Sequence, residues 1–308
     1  MERRNFLKST GAASLLGAFS PLVAFARGTT PRIVGDAPPP IPLRSIGGGA
    51  RTLSADLSPY TGSWGDTQLR HLLRRTMFGV PESQFIAAQA LGSMNAIVAK
   101  LLDTTLPLPP EPGSWVESYL VPVKNNQIAN QNENRLDNMR TQELTNWWFD
   151  LMVQENLSIR ERLTLMWTNH FVTGSTVVGH TGFMYTYLQT CRANALGNFK
   201  NFALTISTDP AMLVYLNGNQ NYVENGKSFA NENYARELME LFTLGINFPN
   251  TTVANYTETD IQNSARALTG WSPSTSWPFA GVLNDTRHDT GNKTFLGQTG
   301  NWDLQDIL

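Results

Sequence analysis

Glu237 is the carboxylate whose setting most demands an explanation. A helix predicted over 232–244, capped by Asn231 and ended by Gly245, places Tyr234, Leu238, Leu241 and Phe242 on one apolar stripe at about 100° per residue. Glu232, Arg236 and Glu240 fall on the opposite side at four-residue spacing, which suits exposed ion pairs worth a few tenths of a kcal/mol each, roughly. Glu237 projects only about 40° from Leu241, at the border of the stripe, where a carboxylate needs a partner because burying an unpaired charge is costly. An arginine such as Arg75, Arg162 or Arg266 would make it a structural ion pair. The other reading is a metal ligand or general base, with His170, His288 and Asp289 as companions, since carboxylate and imidazole donors suit a divalent metal that activates water.

The remaining chemistry is sparse. No His-Glu-x-x-His and no paired cysteines occur, so a metal site would have to be assembled from distant segments. An isolated histidine more often caps or hydrogen-bonds a helix end than ligates, and His180 sits in a Gly-flanked turn. The segment His288-Asp289-Thr290-Gly291-Asn292-Lys293-Thr294 puts an imidazole, a carboxylate and an ammonium on one irregular loop, as binding loops do; an Asp/Gly turn that satisfies its own backbone reads equally well. There is no Gly-x-Ser-x-Gly elbow, and neither Gly47-Gly48-Gly49 nor Gly62-Ser63-Trp64-Gly65 leads into Gly-Lys-Ser/Thr, which excludes those nucleophile and phosphate-loop signatures. Of eight tryptophans, Trp147, Trp148 and Trp167 fall on apolar helix faces, leaving Trp271, Trp277 and Trp302 as candidate surface platforms.

The chain that must position these groups begins with Arg3-Arg4-Asn5-Phe6-Leu7-Lys8, then a mild apolar run ending at Ala24-Phe25-Ala26. Basic start, diluted hydrophobic stretch and small-x-small site together resemble a twin-arginine signal peptide over residues 1–26, with Glu2 where a serine or threonine is usual. The run is too short and polar to span hydrocarbon of about 30 Å, so cleavage and a periplasmic or extracellular destination are expected, with the twin-arginine export machinery as a partner. The whole chain carries a net charge of −2, and loss of the basic signal leaves the mature part more acidic, without the clustered lysine and arginine that nucleic acid requires. The single cysteine, Cys191, excludes an internal disulfide, and no later segment reaches the length of a membrane span.

Residues 27–65, with Pro38-Pro39-Pro40 and the glycine triplet, read as an extended arm or linker. Residues 66–308 read as a mainly α, multi-helix domain with a small irregular or hairpin C-terminal lobe. Asp66 is placed as a helix cap, Pro81 at the start of a second helix, and 124–134 as an Asn/Gln-rich surface loop before an aromatic helix. Ser158-Ile159-Arg160-Glu161 is predicted to form a capping box opening a helix to about Phe171. Helices follow at 181–194, 198–207 and 210–216, a polar loop at 217–230, and a helix at 258–269 capped by Thr257. Beyond Trp271, short runs punctuated by proline and glycine predict the small lobe.

Five segments taken in order are recognisable: 71–79 (HLLRRTMFG); Arg160-Glu161-Arg162 with Trp167-Thr168-Asn169-His170-Phe171; 231–245 (NENYARELMELFTLG); Tyr256-Thr257-Glu258 leading to 265–271 (ARALTGW); and 288–297 (HDTGNKTFLG). In this order they resemble the bacterial domain of unknown function 1800 family over about residues 66–308. Three histidines, His71, His170 and His288, lie inside them, while Thr168 stands where the family commonly has a second histidine. The resemblance implies a large exported or envelope protein without an established reaction. It also implies a chain continuing past Leu308, beyond a helix starting near Asp303, and an exported partner of the domain of unknown function 1501 family. Two functions follow as expectations: an envelope or matrix assembly protein, or a metal-assisted hydrolase of an envelope or extracellular polymer.

Overall fold

The computed structural model describes residues 59–117, 123–124, 127–128, 131–154 and 156–308. The twin-arginine signal and most of the 27–65 arm lie outside the described residues. Twelve α-helices and four two-stranded antiparallel hairpins make up the regular structure among them. The protein is mainly α, with its small hairpins concentrated towards the C-terminal end.

Helices α1 (Asp66–Thr76), α2 (Glu82–Ala90) and α3 (Met94–Leu101) build a small hydrophobic cluster of their own around Leu73, Phe85, Ile97 and Leu101, which Leu157 completes. Asp66 lies inside the first turn of α1 rather than capping it, and its Oδ1 accepts from Gln89 Nε2 of α2 at 2.8 Å. After a short hairpin, β1 (Val123–Lys124) with β2 (Gln127–Ile128), helix α4 (Gln131–Gln154) begins inside the stretch predicted to be a loop.

The larger core surrounds α7 (Thr181–Ala193), which touches α4, α5 (Arg160–His170), α6 (Ser175–Val178), α8 (Phe199–Ser207) and α9 (Pro210–Tyr215). Phe171, Phe202, Ile206 and Met212 are fully enclosed there. Helix α9 starts as its sequence requires: Asp209 accepts from the Ala211 N–H at 3.0 Å, and Pro210 occupies the first turn, where a missing N–H costs nothing.

The predicted capping box at Ser158 does not form. Ser158 Oγ accepts from Arg160 N–H at 3.0 Å, but Glu161 turns into the core, where its carboxylate takes two N–H groups of Arg192 at 2.6 and 2.9 Å and the Trp148 indole at 2.9 Å. A buried guanidinium outcompetes a single backbone N–H for a carboxylate, so Arg192 on α7 decides the matter.

Residues 217–230 are likewise not an irregular loop. They hold a 3₁₀ turn (Gly218–Gln220) and the hairpin β3 (Tyr222–Glu224) with β4 (Lys227–Phe229). Asn225 and Gly226, both at positive φ, form its two-residue turn, the backbone that Asn-Gly favours in hairpins.

Then come α10 (Glu232–Glu237), which continues into a π-helical turn at Leu238–Phe242, and α11 (Glu258–Ala267). Thr257 caps α11 in a full capping box with Asp260. Hairpin β5 (Trp271–Pro273) with β6 (Gly281–Leu283), hairpin β7 (Lys293–Phe295) with β8 (Gln298–Gly300), and α12 (Leu304–Ile307) finish the chain as described. No described helix is long and apolar enough to cross a membrane.

Candidate functional site

The π-helical turn rephases the helix that carries Glu237. Leu244 and Gly245 both donate to the Met239 carbonyl, at 3.1 and 2.8 Å, and Thr243 Oγ1 caps the Leu238 carbonyl at 2.6 Å. With the wider turn, Tyr234, Leu238, Met239 and Phe242 face the core, while Leu241, predicted for the apolar stripe, is 53% exposed. Such single-turn π segments recur at functional sites, because a helix keeps them only at a cost in hydrogen-bond geometry.

His170, at the C-terminal end of α5, meets this turn. Its Nε2 lies 2.9 Å from the Phe242 carbonyl oxygen, 72 residues away in sequence. A carbonyl only accepts, so Nε2 carries the hydrogen, and Nδ1 is the acceptor of the neutral ring. Phe171 and Phe199 pack against the imidazole, with ring centroids 4.7 and 6.0 Å away.

His170 and Glu237 line one cleft of about 280 Å³ between α5, α9 and the π turn. Its walls include Val172, Leu216, Leu241 and the rings of Tyr215 and Phe242. None of the three arginines proposed as partners pairs with Glu237: Arg266 is held by Asp289, Arg162 lies over the Phe78 ring at 5.1 Å, and Arg75 is exposed on α1. Arg236, its chain neighbour, is engaged by Glu232 at 2.9 Å and by Glu258. Among the described residues Glu237 has no hydrogen bond or ion pair with the protein. Burial first, and the nearby Glu240 carboxylate second, push its carboxyl up to about 7, against the pull of Arg236. The expected row of exposed ion pairs thus reduces to Arg236 with Glu232, joined by Glu258 of α11, and Glu240 makes none among the described residues.

The other half of the predicted quartet lies elsewhere. His288 and Asp289 do not line this cleft, and among the described residues no three His, Cys, Asp or Glu side chains gather as a metal would require. His288 Nδ1 is 3.0 Å from the Thr269 carbonyl oxygen. Asp289 takes Arg266 in a two-pronged pair, Nε to Oδ2 at 2.8 Å and Nη2 to Oδ1 at 3.1 Å, and accepts from Gly291 N–H at 2.9 Å. Burial pushes the Asp289 carboxyl up, but the Arg266 pair, the Gly291 N–H and the Lys293 charge together hold it below the usual carboxylate value.

Lys293 is 1% exposed and braces the loop from inside, its Nζ donating to the Asp289 carbonyl at 2.5 Å and the Gly291 carbonyl at 3.0 Å. The loop that sequence left balanced between binding and self-satisfaction is an internally bonded turn. Its lysine could not have been placed inside from sequence, because the acceptors are backbone carbonyls.

Of the other histidines, His71 is exposed on α1, and His180 caps α7, its Nδ1 accepting from Phe183 N–H at 3.3 Å. Thr168, two residues before His170, spends its hydroxyl on the Leu165 carbonyl at 2.9 Å. A larger depression of about 420 Å³ beside Trp147, Asp150 and Arg160 borders the Glu161–Arg192 pair.

The family described as Protein of unknown function (DUF1800) matches residues 71–308. The chain belongs to the DUF1800 family. Within this DUF1800 chain the match includes both the cleft and the Asp289 loop, and the family description assigns a function to neither. No curated protein and no solved structure matches the sequence. Sequence reasoning missed Tyr215 and Leu216 as cleft walls. The only signal was their place at the end of the 210–216 helix, just before Asn217, which turns the chain at positive φ.

Proposed function

We propose that this chain is an exported envelope or matrix assembly protein that recognises its partner through the cleft at His170 and Glu237. One observation carries the preference for recognition over metal-assisted hydrolysis. Of the four groups such a hydrolase would use, only two share a cleft, and Asp289 is bound to Arg266. A carboxylate already held by a guanidinium in two hydrogen bonds is a poor metal ligand, since the pair must be broken first. Export rests on Arg3, Arg4, Phe6, Leu7 and Lys8 with the Ala24-Phe25-Ala26 site. Assembly with an exported member of the domain of unknown function 1501 family is the most specific form of this proposal.

The test pairs two measurements in the native host. Arg3→Lys/Arg4→Lys should hold the chain in the cytoplasm in its uncleaved form, whereas the parent appears outside in the processed form. Elemental analysis of the exported protein should find no stoichiometric divalent metal. Unchanged export of the variant removes the twin-arginine assignment, and one metal per chain, lost in His170→Ala, restores the hydrolase.

A further inference from the structure

The cleft at the π turn carries a proposal about what it takes. Its volume of about 280 Å³ lies at the lower edge of ordinary ligand pockets, about 300 Å³, so it suits one side chain better than a polymer strand. Its walls are mostly apolar: Val172, Leu216 and Leu241 with the Tyr215 and Phe242 rings. Besides the Tyr215 hydroxyl, which can donate or accept, its polar groups offer three acceptors. Glu237 has no hydrogen bond or ion pair with the protein among the described residues, and His170 keeps Nδ1 as acceptor because Nε2–H serves the Phe242 carbonyl. Asn169 lines the same cleft and gives one of its two amide N–H groups to the Leu165 carbonyl at 2.9 Å, with its Oδ1 as a third acceptor.

We infer that this cleft receives the side chain of a lysine from a protein partner, its methylene stem along the apolar walls and its ammonium on Glu237, His170 and Asn169. The inference rests on the proposed reading of the cleft as a recognition site. An ammonium has three donors, matching three acceptor groups, while a guanidinium has five in a fixed fork and would leave some unmet. The aromatic walls favour a cation and also pack its stem. A divalent metal finds one carboxylate and one imidazole here, and among the described residues no three His, Cys, Asp or Glu side chains gather to hold one. The half-buried Glu237, raised by burial and by Glu240, is a carboxyl that a bound cation would return to its charged form.

The test is a calorimetric titration of the full chain, purified from its native host, with Nα-acetyl-lysine-N′-methylamide. The same titration is run with the norleucine analogue, which keeps the stem and lacks the charge, with the arginine analogue, with cadaverine and with zinc chloride. Saturable binding of the lysine analogue, at least about tenfold tighter than the norleucine or arginine analogue and weakened about tenfold or more by Glu237→Gln, is expected. Thermal unfolding of the variant, no lower than that of the parent, excludes misfolding as the cause. Leu241→Lys, on the exposed wall, provides a second disturbance that leaves the core untouched and, by putting a charge of the ligand's own sign beside Glu237, should also abolish binding. No saturable binding of the lysine analogue, equal binding of the norleucine analogue, or indifference to Glu237→Gln overturns the inference. So does tighter binding of cadaverine, which points to a free diamine. Tight zinc binding in place of the lysine analogue overturns both the inference and the recognition reading, whereas lack of binding by every probe removes only the lysine.

Discussion

At the scale of the residue, burial sets the behaviour of three titratable groups. Glu237 titrates near 7 in the fold against about 4.5 for the free side chain, so the folded protein holds its proton more tightly than the unfolded chain does. Stability from that proton is present below about 4.5 and is lost as pH rises through 7. Glu237→Gln, neutral at every pH, should therefore raise the unfolding temperature at pH 8 and change it little at pH 4.5; equal shifts at both would show that charge is not the cause. Asp209, wholly buried at the cap of α9, is driven the same way by burial, up to about 7. His180 runs in the opposite sense. Burial, and then the charge of Arg140, lower it to about 4, and its Nδ1 must stay unprotonated to accept from Phe183 N–H. Its contribution is complete above about 6.5 and disappears as pH falls through 4. His180→Asn, which keeps a capping acceptor, should narrow the loss of stability between pH 6.5 and 4, as measured by chemical denaturation across that range.

At the scale of the element, cross-chain partners explain both where the sequence could be read and where it could not. Caps that depend on neighbours within a turn were legible: Asn231, Asp209 and Thr257 each accept the N–H groups that their positions predict. Glu161 was not, because its partner Arg192 is 31 residues away, and a capping box and a core ion pair draw on the same carboxylate. Leu241 was misplaced because a strict 100° step has no room for a π turn, and nothing in 238–242 announces one. Asn225-Gly226 was legible and overlooked, since the polar residues around it obscured a two-residue turn signal. In the candidate site, Glu237 could be singled out from helical phase, whereas its pairing with His170 in one cleft depends on the approach of α5 to the π turn.

The Glu161–Arg192 pair is almost fully enclosed, with 1% and 0% side-chain exposure. Glu161→Gln, which leaves a buried guanidinium without its counter-charge, should cost about 3–5 kcal/mol in urea unfolding. The double variant Glu161→Leu/Arg192→Met should recover part of that loss, falling short by what Trp148 and Gln189 forfeit as hydrogen-bond partners. A double variant no better than the single one would mean that the pair is not the element holding α5 to α7. Packing of the small lobe is tested at Gly281. A Cβ there would meet the Thr208 carbonyl oxygen at 2.2 Å, a backbone atom unable to rotate away. Gly281→Ala should destabilise by about 1–3 kcal/mol, read as a lower urea midpoint, by prying hairpin β5–β6 from the end of α8.

At the scale of the whole molecule, two hydrophobic clusters divide the described helices unequally. The smaller, on α1–α3, is tied to the larger by Ile159 N–H donating to the Leu101 carbonyl at 3.0 Å, by Gln84 Nε2 donating to Asn156 Oδ1 at 3.1 Å, by Arg160 Nη1 donating to the Leu106 and Pro107 carbonyls just past α3, and by Phe78, which follows α1, packs against the larger cluster and lies under Arg162. The cleft draws its walls from elements of the larger cluster, α5, α9 and the π turn. Regions with fewer buried contacts open at lower free energy, so the amides of α1–α3 should exchange with solvent faster than those of α7. Leu73→Ala removes a side chain with no exposure and should weaken the smaller cluster by about 2–5 kcal/mol. If the clusters open independently, this variant speeds exchange throughout α1–α3 while α7 and the π turn retain their protection, and the cleft keeps its shape. If α7 loses protection by the same amount, the links through Ile159, Arg160 and Arg162 couple the clusters into one unfolding unit. The segment 156–162, which carries those links and leads into α5 and His170, then becomes the route by which changes in the N-terminal helices reach the cleft.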